Sequence, residues 1–326
     1  MAGLGAGAAA LGVSSAALLP ALGRERTIIV GGGPAGAEAA LAWRQRRPAS
    51  AVLLIERDPS RLGPPSAAAA FERPAAQTGL DTLRSAGVDV ALDEAVGVDW
   101  PAARLALLSG REIAFDRLVV APGTAPLAEP IPGLDAAARH RWPAAWGSAR
   151  EARRLKAGLL ALGERAHAVL RLPAALSHPQ VALDRAVLLA LWLQRQRPSA
   201  RLTVLDATPD DTLARAFRAR FTGPIVDWRR SDAGGVVLAL DAPAGTIETT
   251  AGLLRADLVN FVTPRMAGRL AAVAGLADDS GWCPCTADGQ SQRRPRTLVL
   301  GDARKAALRT VASAELSANL SIAAIA

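Results

Sequence analysis

The feature that most constrains this chain is the stretch Thr27-Ile28-Ile29-Val30-Gly31-Gly32-Gly33-Pro34-Ala35-Gly36. A short β-branched run drives into a glycine-rich turn, and Ala37 to Ala42 then reads as a helix. Gly31, Gly33 and Gly36 keep the G-x-G-x-x-G spacing. The first glycine permits a tight turn, the second lets backbone approach a pyrophosphate, and the third lets helix and strand pack closely. Free N–H groups and the positive end of the helix dipole then face the phosphates. About twenty residues past the last glycine, a second apolar run, Ala51-Val52-Leu53-Leu54-Ile55, ends in Glu56, where a carboxylate accepts hydrogen bonds from ribose hydroxyls. Strand, turn, helix, strand and terminal acid in this order predict a dinucleotide-binding βαβ unit.

Two later stretches share that design. Phe115 to Val120 is an apolar strand running into Ala121-Pro122-Gly123, and Thr297 to Leu300 is another, running into Gly301-Asp302-Ala303. Ligands of open α/β sheets sit at such carboxyl ends. Between the first unit and Phe115, residues 57 to 65 read as a loop and 66 to 86 as helical pieces broken at Pro74. Three short runs, 95–99, 104–108 and 112–115, the last two flanking Ser109-Gly110, predict an inserted antiparallel meander. A second βαβ unit is expected from Ala166 to Leu170, a helix over Ala182 to Gln194, and Arg201 to Asp206. Its turn, Arg171-Leu172-Pro173-Ala174-Ala175-Leu176, has no glycine, so side chains would keep a pyrophosphate from the backbone.

Composition sets the remaining bounds. With 326 residues, 50 % hydrophobic and 21 % charged, the chain is long enough for two folded domains. The formal charge of +8 comes from scattered arginines with no aromatic-interleaved basic patch, which reads as a solvated surface and not a nucleic-acid site. Cys283 and Cys285 are separated by one residue, too close for an unstrained mutual disulfide, and no neighbouring histidines support zinc. Residues 2 to 22 carry no charge and are rich in Ala, Gly and Leu. They are expected to be the apolar region of an export signal, with a start upstream supplying the basic leader and a membrane anchor as the alternative.

Taken together, the turn, the terminal acid, Ala-Pro-Gly and Gly-Asp resemble the FAD-binding half of two-dinucleotide-domain flavoproteins. More narrowly, the chain resembles the flavoprotein subunit of flavocytochrome c sulfide dehydrogenase. That resemblance is carried by Asp116 to Gly123, Ala256 to Pro264, Ala267-Gly268-Arg269, and Ala274 to Pro284 with its Gly281-Trp282-Cys283-Pro284. It implies an α/β protein of two Rossmann-like domains, the FAD domain being discontinuous: 26–145 and 266–326 for FAD, 146–265 for the second domain, and 1–25 for the export segment or anchor. It further implies that Gly31, Gly33, Gly36, Glu56, Gly123, Asp302 and Ala303 contact FAD, with Asp302 on the ribityl chain. The implied function is transfer of electrons from a small sulfur substrate through FAD to a c-type cytochrome in the periplasm, without NAD(P)H.

Two departures accompany the resemblance. Relatives carry a redox disulfide beside the flavin; the corresponding positions here are His178 and Arg304, neither of which can exchange thiol for disulfide. His178 is expected to be a surface or loop histidine, with an acid/base group near the flavin as the sharper alternative. Relatives also continue past the helix read over residues 312–323 into a domain that covers the flavin, expected to be missing here. A decayed, non-catalytic subunit pairing with a cytochrome or a complete paralogue is therefore the alternative function.

Overall fold

The computed structural model describes residues 25–62, 78–146 and 148–325. The apolar N-terminal segment and most of the helical pieces expected over 66–86 lie outside the described residues. The chain begins with β1 (Arg26–Val30), α1 (Pro34–Arg46) and β2 (Ala51–Glu56), followed by α2 (Leu80–Ser85) and β3 (Asp89–Leu92). Next comes a meander, β4 (Ala95–Asp99), β5 (Arg104–Leu107) and β6 (Glu112–Ala114), then β7 (Arg117–Val120) and β8 (Thr124–Pro126). Two helices, α3 (Ala136–Arg141) and α4 (Ala149–Leu160), lead into β9 (His167–Leu172), α5 (Pro179–Gln196), β10 (Arg201–Asp206), α6 (Thr212–Arg220) and β11 (Val226–Arg229). A second meander, β12 (Val237–Asp241), β13 (Thr246–Thr249) and β14 (Gly252–Arg255), precedes β15 (Leu258–Phe261), β16 (Arg265–Ala267) and α7 (Arg269–Val273). The chain closes with β17 (Thr297–Val299) and α8 (Val311–Ile325).

Two parallel sheets organise these elements, in the orders β17-β7-β1-β2-β3 and β11-β10-β9-β15. The architecture is α/β and Rossmann-like. The first sheet takes strands from both ends of the chain, β17 pairing in parallel with β7. Its side chains alternate between two cores, as the period of a strand requires. Ile28, Val30, Ile55, Leu118 and Val120 pack with Leu105, Leu107 and Ile113 of the first meander. Ile29, Leu54 and Val119 pack on the other face with Ala39 and Trp43 of α1 and Ala318 and Ile322 of α8. The alanines along α1 let α8 lie close against it.

The second sheet is covered in the same manner. Leu155 and Leu159 of α4, with Ala186, Leu189 and Leu193 of α5, lie on Leu170, Leu202 and Val204. On the opposite face, Val169, Leu205, Val259 and Phe261 meet Leu240, Ile247 and Leu254 of the second meander. Leu134, Ala138 and Trp142 already join this core, upstream of residue 145. Among the described residues no helix is long and apolar enough to cross a membrane.

Within β9, His167 is buried, with Nδ1 2.7 Å from the Arg255 carbonyl oxygen and Nε2 2.8 Å from the Thr203 hydroxyl. A neutral ring satisfies both contacts, donating to the carbonyl and accepting from the hydroxyl. Burial, and then the Arg201 charge, push its pKa below the ordinary histidine value. The unfolded chain therefore binds more protons than the folded one between that lowered value and about 6.5. Thermal stability should fall as pH drops below about 6.5 and level off below the folded value. Melting scans from neutral to mildly acidic pH should show a weaker acid dependence for His167→Asn than for the unsubstituted chain.

Candidate functional site

The carboxyl ends of β1, β2, β7 and β17 meet on one side of the first sheet, and there the Gly31 turn closes on a cavity. Gly31 adopts φ +103°, and any Cβ on it would drive into the Ala121 carbonyl oxygen. A Cβ on Gly36 would in turn collide with the Gly31 carbonyl oxygen. Gly33 is the extended N-cap of α1, with Pro34 filling the first helical position where its missing N–H costs nothing. The cavity has a volume of about 290 Å³ and is lined by Val30, Gly31, Glu56, Arg61, Ala95 and Pro122 among others.

Glu56 ends β2 almost fully buried, with Oε2 accepting from the Gly32 N–H at 2.5 Å and Oε1 from the Asp58 N–H at 2.8 Å. The acid thus clamps the glycine turn, and each oxygen keeps a further lone pair for a donor. Beside it, Arg61 Nε is buried and has no hydrogen-bond partner among the described residues, standing 3.9 Å from both Glu56 Oε1 and Asp58 Oδ2. Burial lowers the Arg61 pKa, opposed by the charges of Glu56 and Asp58. A half-buried guanidinium with an unmet donor at Nε, lining a cavity with bare backbone on its other wall, suits a polyanion carrying ribose hydroxyls. Arg61 was invisible in the sequence, where it belongs to an ordinary Pro-Ser-Arg-Leu turn.

Gly123 lies beyond the end of β7 at φ +60°, and its carbonyl accepts from the Gly268 N–H at 2.9 Å. Leu300 N–H bonds the Val120 carbonyl at 3.0 Å, carrying β17 into the turn Gly301–Ala303. A Cβ on Gly301 would sit 2.9 Å from Ala35 Cβ, so this turn crosses the first turn of α1. Gly33, Gly123 and Asp302 consequently share one edge of the sheet. Ala303 is fully buried, its carbonyl accepting from the Cys283 N–H at 3.0 Å.

His178 lies in the loop that leads into α5, as expected, but it is buried and not at the surface. It is 4 % exposed, caps α5, and places Nε2 3.7 Å from Asp302 Oδ2. Its Nδ1 lies 2.7 Å from Ser177 Oγ, and its ring meets Trp146 edge-on at 5.6 Å. Fold geometry therefore brings His178 to the Gly-Asp motif. Arg304 is occupied elsewhere, with Nη2 donating to the carbonyls of Thr286 and Ala287 at 3.0 and 2.9 Å. Two further arginines surround the cluster. Arg265 donates to the Thr124 hydroxyl and carbonyl and to the Trp146 carbonyl, and burial lowers its pKa against the pull of Glu151 and Asp302. Arg309 stacks 3.7 Å from the Trp282 ring centre and reaches the Asp302 carbonyl at 3.3 Å.

Neither cysteine replaces the absent pair. Both are free thiols; burial, reinforced by Cys285 and Asp278, pushes Cys283 up to about 12, and burial pushes Cys285 up to about 11 despite Arg304. Such thiols are poor nucleophiles at neutral pH.

In the second domain β9 runs two residues further than expected, so Arg171 and Leu172 are strand and not turn. Arg171 is held by Glu129 through paired bonds of 2.7 and 2.6 Å and also donates to the Val262 carbonyl. The glycine-free turn that follows ends at His178. Asp206, the acid ending β10, accepts from the Thr208 N–H and hydroxyl at Oδ1 and from the Trp228 indole at Oδ2.

Known proteins agree with this geometry at the level of fold. Residues 25–169 match the family model of the pyridine nucleotide-disulphide oxidoreductases. The sulfide:quinone oxidoreductase of Aquifex aeolicus superposes with a TM-score of 0.71 at 17 % identity, over 92 % of this chain and 76 % of that one. A ferredoxin reductase from Rhodopseudomonas palustris gives the same TM-score of 0.71, also at 17 % identity and with coverages of 92 % and 76 %. The reduced CoADR-RHD of Bacillus anthracis superposes at 0.68 with 17 % identity, over 93 % of this chain, which spans 57 % of that protein's length. The fold is thus the Rossmann-like α/β fold that these oxidoreductases share.

Proposed function

We propose that this chain binds FAD along the edge from Glu56 to Asp302 and acts as an FAD-dependent oxidoreductase. In this reading it takes electrons from a small sulfur reductant and hands them to a c-type cytochrome, in the manner of a sulfide dehydrogenase flavoprotein subunit. The observation that carries the reading is one cavity combining the Gly31 turn, the Glu56 carboxylate and the unmet buried Arg61 donor. The backbone at Gly31, Gly33 and Gly36 would face the pyrophosphate, with Arg61 as counter-charge and Glu56 on the ribose. Gly123 leaves room for the cofactor, Asp302 would bond the ribityl chain, and Ala303 would offer backbone beside it. When bound, FAD supplies two-electron acceptance and one-electron release.

Without cysteines at 178 and 304, no thiolate attacks the substrate. His178, close to Asp302 and buried, would instead be the side chain that stands next to the reacting centre. NAD(P)H is excluded as a donor in this reading, because the second-domain turn from 173 to 178 carries side chains where a pyrophosphate needs bare backbone. The engagement of Arg304 with two backbone carbonyls favours a second reading, a catalytically silent subunit that still binds FAD and a haem protein. Anaerobic addition of sulfide and of NADH to the FAD-loaded protein separates the cases. Bleaching by sulfide alone supports the oxidoreductase, and bleaching by neither supports the silent subunit. Rapid bleaching by NADH overturns both.

A further inference from the structure

The structure gathers charges that look scattered along the sequence. On α4, Arg150, Arg153 and Arg154 share one face at the i, i+3, i+4 spacing, with Lys156 at its flank. That face is opposite the one buried through Ala152, Leu155 and Leu159. Arg154 Nη1 donates to the His140 carbonyl at 3.0 Å, fastening the end of α3 and its exposed Arg141 to the same surface. Among the described residues, none of these five cations lies within ion-pair distance of a carboxylate. The nearby acids are committed elsewhere. Glu151 accepts from the Ala145 N–H at 3.0 Å and acts on Arg265 within the site, and Glu164 faces Arg197 at 3.8 Å.

This patch adjoins the site. Trp146 precedes α4 by three residues, touches the His178 ring edge-on, and is bonded through its carbonyl to Arg265. One indole thus separates the His178–Asp302 pair from the start of the basic helix. A helix of this length presents a face of about 18 Å, suited to a small globular partner. Among the described residues, the buried Trp142 and the inward contact of Trp146 leave no tryptophan or phenylalanine on the basic face for stacking single-stranded bases.

We propose that the α3–α4 face is the docking surface for an acidic electron-carrier protein. The assignment rests on the oxidoreductase reading for its purpose, although the contact itself is electrostatic and independent of flavin. Opposed charges steer association and weaken as salt rises.

The test compares the full chain with the triple variant R150E/R153E/K156E, all three positions being exposed. Binding to an acidic c-type cytochrome and to an acidic ferredoxin is measured by calorimetry at low and high salt, with a basic c-type cytochrome as control. The proposal predicts that at least one acidic carrier binds, more weakly at high salt, and that charge reversal weakens it by roughly tenfold or more. The basic carrier should not bind, and FAD uptake should be equal in both proteins. Failure of both acidic carriers, or equal binding by both chains, would overturn the proposal. So would a variant that loses only duplex DNA or only anionic phospholipid vesicles. Absence of FAD uptake alongside charge-dependent carrier binding would instead sink the oxidoreductase reading and leave the docking surface standing.

Discussion

Gly36→Val should give a protein that purifies without flavin, takes up none when FAD is added, and melts well below the parent chain. The cause is steric and local. Gly36 faces the Gly31 carbonyl across the strand–helix turn, leaving no room for even one carbon, and valine adds three. Helix α1 must move away from β1, which displaces Gly33 and its N–H from the phosphate position and loosens the packing of Ala39 and Trp43. Overpacking against backbone costs roughly 3 kcal/mol or more. That corresponds to a fall in melting temperature of roughly 5–10 °C in a domain of this size. Glu248→Ala, exposed in the second meander, should leave both properties as they are. Retention of full flavin stoichiometry by Gly36→Val would mean that the turn does not hold the cofactor.

The second large effect is expected at Glu129. Arg171 is 5 % exposed at its side chain and sits over the Phe261 ring at 4.7 Å, with Glu129 supplying both partner oxygens. Glu129→Ala removes the carboxylate and leaves a buried cation with the Val262 carbonyl. Breaking one side of such a pair costs about 3–5 kcal/mol. Glu129→Ala/Arg171→Met should recover most of that loss, because removing both charges is far less costly than removing one. Urea denaturation of the two variants would measure this directly. Equal destabilisation of the single and double variants would show that packing volume, not charge, holds the strand end. Since Glu129 follows β8 while Arg171 lies in β9, the pair also fastens the connection after β8 to the second sheet.

Much of the architecture was legible because the strands announce themselves. Ile28-Ile29-Val30 and Val52-Leu53-Leu54-Ile55 are apolar on both faces, as central parallel strands must be, and Ser109-Gly110 marks the hairpin of the first meander. The limits of β9 were missed because Arg171 is polar. Only a tertiary partner, Glu129, makes a buried arginine acceptable inside a strand, and no local pattern encodes that pairing. The site was legible where backbone geometry demands a residue type. Gly31 at φ +103° tolerates almost nothing else, so the spacing betrays it.

Side chains brought together by folding were not legible. His178 and Asp302 are far apart in the chain, and only the tertiary fold brings them to 3.7 Å, with Trp146 against the His178 ring. Arg61 is informative only through its burial and its unmet Nε. The basic face of α4 was hidden for a related reason, since intervening acids such as Glu151 turn inward and leave the outward charge uncompensated.

The central claim is that the glycine turns and Glu56 enclose one FAD. Titrating the purified, flavin-free full chain with FAD, and following quenching of flavin fluorescence, tests it most directly. The account predicts saturation at one FAD per chain, weakened at least tenfold in Glu56→Ala, where the ribose and the Gly32 N–H both lose their acceptor. Fluorescence that stays that of free FAD throughout, or equal affinity in Glu56→Ala, would contradict it.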